Sequence, residues 1–336
     1  MALKIALIGA GRIGKVHASA VMTAIPNATI VAVADYHLSS AQALADTYGI
    51  GLATDRHLDA IHADGVDAVI IASSTDTHAP FIIDAAQANK HIFCEKPIAA
   101  ELSKIDEALA AVAQAGVQLQ IGFNRRFDPT FARIKRAITD GAIGTPHLLH
   151  IISRDPAPPP VEYVKVSGGL FFDMTIHDFD MARFLFGEVE EIYATGGVLV
   201  NPAIGEAGDI DTAMVTLKFA SGALGVIDNS RQAVYGYDQR VEAFGNGGSA
   251  GNVNLYPDAV TISNGTRVER ASLPMNFFLE RYMDSYRNEL TAFVDAVQNG
   301  TPVPVSGNDG RVPVVMAMAA KKSLDENRPV RLSEIN

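Results

Sequence analysis

The feature that most constrains this chain is Gly9-Ala10-Gly11-Arg12-Ile13-Gly14, set between an apolar run, Lys4–Gly9, and a helical pattern, Ile13–Ile25. Glycines spaced G-x-G-x-x-G merely turn a chain in most settings. Between a strand and a helix they read as the first turn of a βαβ unit that binds a dinucleotide. Gly9 permits the tight turn, Gly11 lets the backbone approach a pyrophosphate, and Gly14 lets the helix pack close to the sheet. The helix N-terminus, with Arg12 and Ile13 in its first turn, favours the anionic phosphates.

The next hundred residues repeat this strand–helix pattern. Strand candidates are Lys4–Gly9, Ile30–Asp35, Ala68–Ala72, His91–Cys94 and Gln118–Ile121, and helical stretches at Ile13–Ile25, Ser39–Tyr48, Thr77–Ala88 and Ser103–Ala115 alternate with them. The strands are near-continuous apolar runs, as in a parallel sheet covered on both faces. The expected fold is therefore α/β: an N-terminal Rossmann-type doubly wound parallel sheet. Asp35 ends the second run, 21 residues after Gly14. A carboxylate there accepts hydrogen bonds from both ribose hydroxyls of NAD and repels the 2′-phosphate of NADP. Tyr36 and His37 follow, with no Arg or Lys to hold that phosphate, so NAD is the expected cofactor. Asp35 as a simple cap or turn residue is the alternative. Ser73-Ser74-Thr75-Asp76-Thr77-His78 leaves the sheet at its carboxyl edge, where open α/β folds bind ligands. Ser73, Ser74, Thr75 and His78 are candidate cofactor contacts, although Thr75 or Asp76 could equally cap the next helix.

The character changes after Gly122. A helix over Asp128–Thr139 leads to an extended stretch, Pro146–Ser153, a proline-dense loop, Pro156–Pro160, and a helix, Thr175–Phe186. Strand patterns at Glu191–Val200, Asp211–Phe219, Ala223–Ser230 and Gln239–Phe244 come next, with Ser221-Gly222 as a hairpin turn. Helices at Glu280–Gln298 and Asp309–Glu326 and a short strand at Pro329–Leu332 close the chain. We expect a cofactor domain over residues 1–122. Residues 123–336 should form a second α/β domain, built on a large, mostly antiparallel open sheet, with its C-terminal segment able to pack back on the first. The length of 336 residues and 48% hydrophobic content suit two domains. A net charge of −11 argues against a nucleic-acid partner. No apolar run approaches the ~20 residues a membrane span needs. The N-terminus reads as a strand and not a signal peptide, so a cytoplasmic protein is expected. The single cysteine, Cys94, excludes an intrachain disulfide and any multi-cysteine metal site. On its own it reads as a small core residue.

Two segments carry reactive side chains. Cys94-Glu95-Lys96-Pro97 closes the apolar run that begins at His91. A lysine at the sheet's carboxyl edge can hold a substrate oxygen and stabilise a developing alkoxide. Asp173 and His177 are four residues apart in Gly168-Gly169-Leu170-Phe171-Phe172-Asp173-Met174-Thr175-Ile176-His177-Asp178. On a helix they share a face. A histidine can take a hydroxyl proton near neutral pH, and a carboxylate can orient it. Asp173 as a helix cap with a packed His177, or the pair as metal ligands, are the alternatives. Hydride chemistry with a lysine in place needs no metal, and none is expected.

The glycine motif, C-E-K-P and G-G-x-x-x-D-x-x-x-H-D, in this order along the whole chain, resemble the Gfo/Idh/MocA family of oxidoreductases. Further segments resemble its inositol 2-dehydrogenase branch: Gly122-Phe123-Asn124-Arg125-Arg126-Phe127-Asp128, Ser153-Arg154-Asp155-Pro156-Ala157-Pro158 and Tyr235-Gly236-Tyr237-Asp238-Gln239-Arg240. The resemblance implies a Rossmann domain with Glu95 and Lys96 beside the cofactor. It also implies Lys96, Asp173 and His177 as catalytic residues, and Arg125, Asp155 and Tyr235 with them around a polyol. Where some members carry His and Asn before the proline loop, this chain has Ser153 and Asp155. The implied activity is NAD-dependent oxidation of a ring hydroxyl, with myo-inositol to scyllo-inosose as the leading case. A pyranose or sugar-acid dehydrogenase of the same family, or a dinucleotide-sensing regulator, are the competing readings. The open sheet implies a homo-oligomer, a tetramer or dimer, because a bare sheet face exposes apolar side chains.

Overall fold

The computed structural model describes residues 2–335. The chain divides into two compact units: Met1–Phe127 with Met283–Val312, and Asp128–Tyr282 with Pro313–Asn336.

The first unit holds six strands, β1 (Leu3–Ile8), β2 (Ala28–Ala34), β3 (Leu52–Thr54), β4 (Ala68–Ile71), β5 (His91–Glu95) and β6 (Leu119–Gly122). All pair in parallel, in the order β3-β2-β1-β4-β5-β6. Helices α1 (Arg12–Ala24), α2 (Leu38–Tyr48), α3 (His57–Ile61), α4 (Thr75–Gln87) and α5 (Leu102–Ala115) connect them. This is the doubly wound arrangement expected from the apolar runs. Two elements were not expected, β3 and α3. Both are too short to carry a periodic signal, at three and five residues.

In the second unit α6 (Pro129–Thr139) starts at an expected boundary: the Asp128 carboxylate accepts the amides of Thr130 and Phe131, and proline opens the first turn. Strand β7 (Pro146–Arg154) comes next, then the proline loop and a short helix, α7 (Val161–Val164). Helix α8 (Ile176–Phe186) differs from its sequence boundary, since a π-helical turn over Phe171–Thr175 runs into it. Asp173 lies inside that turn and is not a helix cap, which corrects one of the alternative readings. Strand β8 (Val189–Gly197) ends before Val198–Val200, and α9 (Pro202–Glu206) is an addition. Strands β9 (Thr212–Phe219) and β10 (Leu224–Ser230) join at the expected hairpin, where Gly222 takes a φ of +88°. Strands β11 (Asp238–Gly245) and β12 (Gly248–Gly251), a small hairpin of β13 (Thr261–Ser263) and β14 (Val268–Arg270), and β15 (Val330–Arg331) complete the strands. The large sheet runs β12-β11-β7-β10-β9-β8-β15, and only β7 and β10 pair in parallel. Its inner face buries Leu149, Ile151, Val215, Leu217, Ile227 and Val241. Two long helices, α10 (Phe278–Asn299) and α11 (Gly307–Glu326), each contribute to both units. Tyr282, with φ −119° and ψ 16°, kinks α10 where its membership changes.

Candidate functional site

The glycine loop is shaped by sterics. Gly9 sits at φ +102°, and a Cβ there would stand 2.5 Å from the carbonyl carbon and oxygen of Ala72 at the end of β4. A Cβ on Gly14 would stand 1.8 Å from the Gly9 carbonyl oxygen. Gly14 therefore admits the loop itself beneath α1, a closer constraint than the helix-to-sheet packing expected of it. A Cβ on Gly11 would meet nothing within 4 Å, so its bareness serves no internal contact and faces open space at the N-terminus of α1. That is the cradle a pyrophosphate fills.

Asp35 follows β2. Its Oδ2 accepts the Ala10 amide at 2.7 Å and its Oδ1 accepts the His37 amide at 2.9 Å. The carboxylate thus ties the glycine loop to the second strand. Each oxygen has a further lone pair for a ribose hydroxyl. The residues present fit NAD: an amide-lined loop bare of side chains, and beside it an acidic group.

Around Ser73 the helix α4 begins at Thr75, with Ser74 at its cap position and no side-chain cap bond. Neither Thr75 nor Asp76 caps it, which corrects the capping alternative. Ser74, Thr75 and Asp76 are exposed, and Ser73 is half-buried with its hydroxyl 2.6 Å from that of Thr77. His78 is buried, its Nδ1 2.7 Å from the Pro97 carbonyl and its Nε2 3.2 Å from the Ser73 carbonyl. Burial pushes its pKa down, against the pull of those two carbonyls. A neutral ring carries one N–H, and the shorter contact places it on Nδ1. His78 pins the Ser73 loop to the turn that carries Lys96.

Lys96 is half-buried directly after β5. Glu95 turns inward, its Oε1 2.7 Å from Nε2 of His17, a fully buried residue of α1. Glu289 of α10 completes a trio whose ligand-type atoms all lie within 4.8 Å of one another. The His17–Glu95 separation is that of a hydrogen bond, whereas two ligands of one zinc-sized ion stand roughly 3 Å or more apart. Glu289 is fully buried, and burial beside Glu95 pushes its carboxyl pKa well up, towards the neutral acid. Cys94 is buried among apolar neighbours, and burial pushes its thiol pKa up. Arg125 is buried in the turn Asn124–Phe127.

In the second unit Asp173 is held from two sides. The Tyr163 hydroxyl donates to its Oδ1 at 2.9 Å, and Arg231 Nη1 donates to its Oδ2 at 2.9 Å. Asp155 Oδ2 lies 3.5 Å from the same Arg231 nitrogen. His177 is half-buried in the first turn of α8. That turn is anchored to the sheet: Thr175 donates to Asn229 Oδ1 at 2.6 Å, and Asn229 donates to Asp178 Oδ2 at 2.8 Å. Ser153 is buried and donates to Gln239 at 3.1 Å. Tyr235 donates to Asp238 Oδ2 at 2.5 Å and accepts from Arg154 at 3.2 Å. Burial and the Asp238 bond push the Tyr235 pKa up. Its hydroxyl is thus tied to a charged network reaching Arg240.

Sequence reasoning named Asp173, His177 and Asp155 but missed Arg231 and Tyr163, which hold the two carboxylates, and Asn229, which anchors the turn that carries His177. It also missed His17 and Glu289 beneath Glu95. A histidine one turn after Gly14 was the one visible hint, since an amphipathic helix rarely buries an unpaired imidazole.

The N-terminal part, residues 3–123, matches the oxidoreductase family with an NAD-binding Rossmann fold. Residues 131–251 match the GFO/IDH/MocA C-terminal domain. Together with full-length relatives, these matches mean that the chain belongs to the Gfo/Idh/MocA family of NAD-dependent oxidoreductases. It is 48% identical to the myo-inositol 2-dehydrogenase of Thermotoga maritima, covering 99% of each chain. It is 52% identical to the uncharacterized oxidoreductase YrbE of Bacillus subtilis over 97% of this chain and 95% of that one. The scyllo-inositol dehydrogenase of Lactobacillus casei, solved with NAD(H) and scyllo-inositol, superposes with a TM-score of 0.92 at 28% identity, covering 99% and 100% of the two chains.

Proposed function

We propose that this protein is an NAD-dependent inositol 2-dehydrogenase that oxidises the axial-type ring hydroxyl of myo-inositol to the ketone scyllo-inosose. The observation that carries the reading is a complete acid–base and oxyanion set, Lys96, Asp173 and His177, in a chain similar over its length to a myo-inositol 2-dehydrogenase. The first unit serves as the cofactor domain and the second as the substrate and oligomerisation domain. Gly9, Gly11, Arg12, Ile13, Gly14 and Asp35 hold the cofactor, with Ser73, Ser74 and Thr75 along its course. When bound, NAD supplies a hydride acceptor. His177 takes the hydroxyl proton, and the Lys96 ammonium stabilises the negative charge that builds on the substrate oxygen. Asp173 orients His177 or joins it in proton relay, and with Asp155 and Arg125 it holds neighbouring hydroxyls of the ring. Tyr235 contributes through its edge of that surface.

Among the described residues no helix is long and apolar enough to cross a membrane. We assign the enzyme to the cytoplasm, where a lone thiol such as Cys94 stays reduced. We further infer a homodimer or homotetramer built on the outer face of the large sheet.

The test is NADH formation with myo-, scyllo- and chiro-inositol, glucose and galactose, in NAD⁺ and in NADP⁺. Turnover with an inositol and NAD⁺ is expected. Preference for a hexose would replace the substrate assignment. His177→Ala should lower turnover about a hundredfold or more while NAD affinity is unchanged; full activity in that variant would remove His177 from the mechanism.

A further inference from the structure

We propose that Arg231 is the positioning residue of the polyol site, fixing the orientation of Asp173 and Asp155 from behind. The inference rests on the proposed function, which puts those two carboxylates on the substrate.

The placement comes from strand register. In the parallel pair β7–β10, Ser230 stands opposite Arg154, so Asp155 and Arg231 leave their strands side by side. Backbone bonds fix that exit: the Asp155 amide donates to Ser230, the Arg231 amide to Asp211 and the Ala233 amide to the Asp155 carbonyl. The Arg231 side chain is only 3% exposed, whereas Asp173 is 15% and Asp155 25% exposed. The guanidinium therefore sits inside, with the carboxylates between it and solvent. One nitrogen, Nη1, reaches both of them, at 2.9 Å and 3.5 Å.

Polar groups from four segments gather around Arg231. Asp155 comes from the end of β7, Asp173 from the π-helical turn, Asp209 from the loop before β9, and the Tyr163 phenol from α7 reaches Asp173. Asp209 is itself engaged by the Leu170 amide at 3.1 Å. Burial opposes the charge on Arg231, but Asp173, Asp155 and Asp209 outweigh it and hold the guanidinium cationic. Three carboxylates gathered without the guanidinium would repel and move apart. A loosened Asp173 would misplace the ring against the proton acceptor. Arg231 prevents this, without itself touching the reacting atoms.

The test compares wild type with Arg231→Met, Arg231→Lys and Tyr163→Phe. Readouts are the NAD Kd, kcat and KM for myo-inositol, and the chemical shift of the Asp173 carboxyl carbon at one fixed pH by NMR, assigned with Asp173→Asn. In Arg231→Met, NAD binding stays unchanged, kcat/KM falls about a hundredfold and the Asp173 resonance moves. Arg231→Lys keeps a cation on a shorter stem, so the resonance still moves while kcat/KM recovers to within about tenfold of wild type. Tyr163→Phe lowers kcat/KM by less than Arg231→Met. Wild-type kcat/KM in Arg231→Met overturns the proposal. Should that variant fail to fold, an unmoved Asp173 resonance in Arg231→Lys overturns it. If the wild type oxidises no inositol, the functional reading is what fails. The NMR comparison then still decides, because an Asp173 carboxyl that is unmoved when the guanidinium is replaced rules Arg231 out as its partner.

Discussion

Glu289 has no solvent exposure and, among the described residues, no hydrogen-bond partner on either carboxyl oxygen. An ionised carboxylate in that position would be severely desolvated, and Glu95 nearby adds repulsion. The folded state therefore keeps a proton that the unfolded chain releases above about pH 4.3. Unfolding sheds that proton, so the contribution is full below the ordinary glutamate range and is lost as pH rises towards the raised folded value. Glu289→Gln has no proton to shed. Its thermal stability should fall less steeply than that of wild type from about pH 5 to 8, measured by calorimetry; parallel slopes would show that Glu289 is ionised. Arg231 is the opposite case, a buried cation kept charged by carboxylates. Both residues show what was hidden at this scale. Lys96, Asp173 and His177 could be named because reactive side chains cluster in short segments. Arg231 lies 58 residues from Asp173, and Glu289 lies far from Glu95. Only pairing of strands and packing of a late helix bring them together, and no local pattern encodes that.

At the level of elements, the glycine loop separates two kinds of constraint. Gly14→Ala should disturb the loop itself, because its Cβ would overlap the Gly9 carbonyl. Gly11→Ala meets open space and should leave folding intact. Thermal melts and NAD titration test the difference: Gly14→Ala loses both stability and binding, while Gly11→Ala keeps its melting temperature and binds NAD at least about tenfold more weakly, a change of about 1.4 kcal/mol. A Gly11→Ala protein with wild-type affinity would remove the pyrophosphate from this loop. These roles were legible because the motif fixes spacing and context together. The π-helical entry to α8 was not legible, since its residues keep a helical pattern, and the bond that ties the turn to the sheet joins Thr175 to the distant Asn229. Strand β3 was lost for lack of length, and the β13–β14 hairpin for lack of a buried face, since Thr261–Ser263 are all exposed.

For the whole molecule, the outer face of the large sheet carries an apolar row across three strands. Leu224 stands opposite Leu148, and Leu148 opposite Phe244, with exposures of 52%, 51% and 43%. Three large side chains in register across adjacent strands are more than the scattered exposure normal on a monomer. Leu148→Arg should shift the protein to a smaller species by light scattering, with secondary structure retained. A wild-type monomer at the same concentration would end the oligomer proposal. The first unit takes back Met283–Val312, a return expected of the C-terminal segment but with bounds that no local pattern marks. Leu290, Phe293 and Val294 from that return segment belong to the same apolar core as Ile5, Leu7 and Phe93. During synthesis the opening glycine loop emerges first, yet the core beneath it stays incomplete until nearly the last helices leave the ribosome. A proteolytic fragment that stops at residue 127 therefore lacks part of its own core and should melt well below the intact chain.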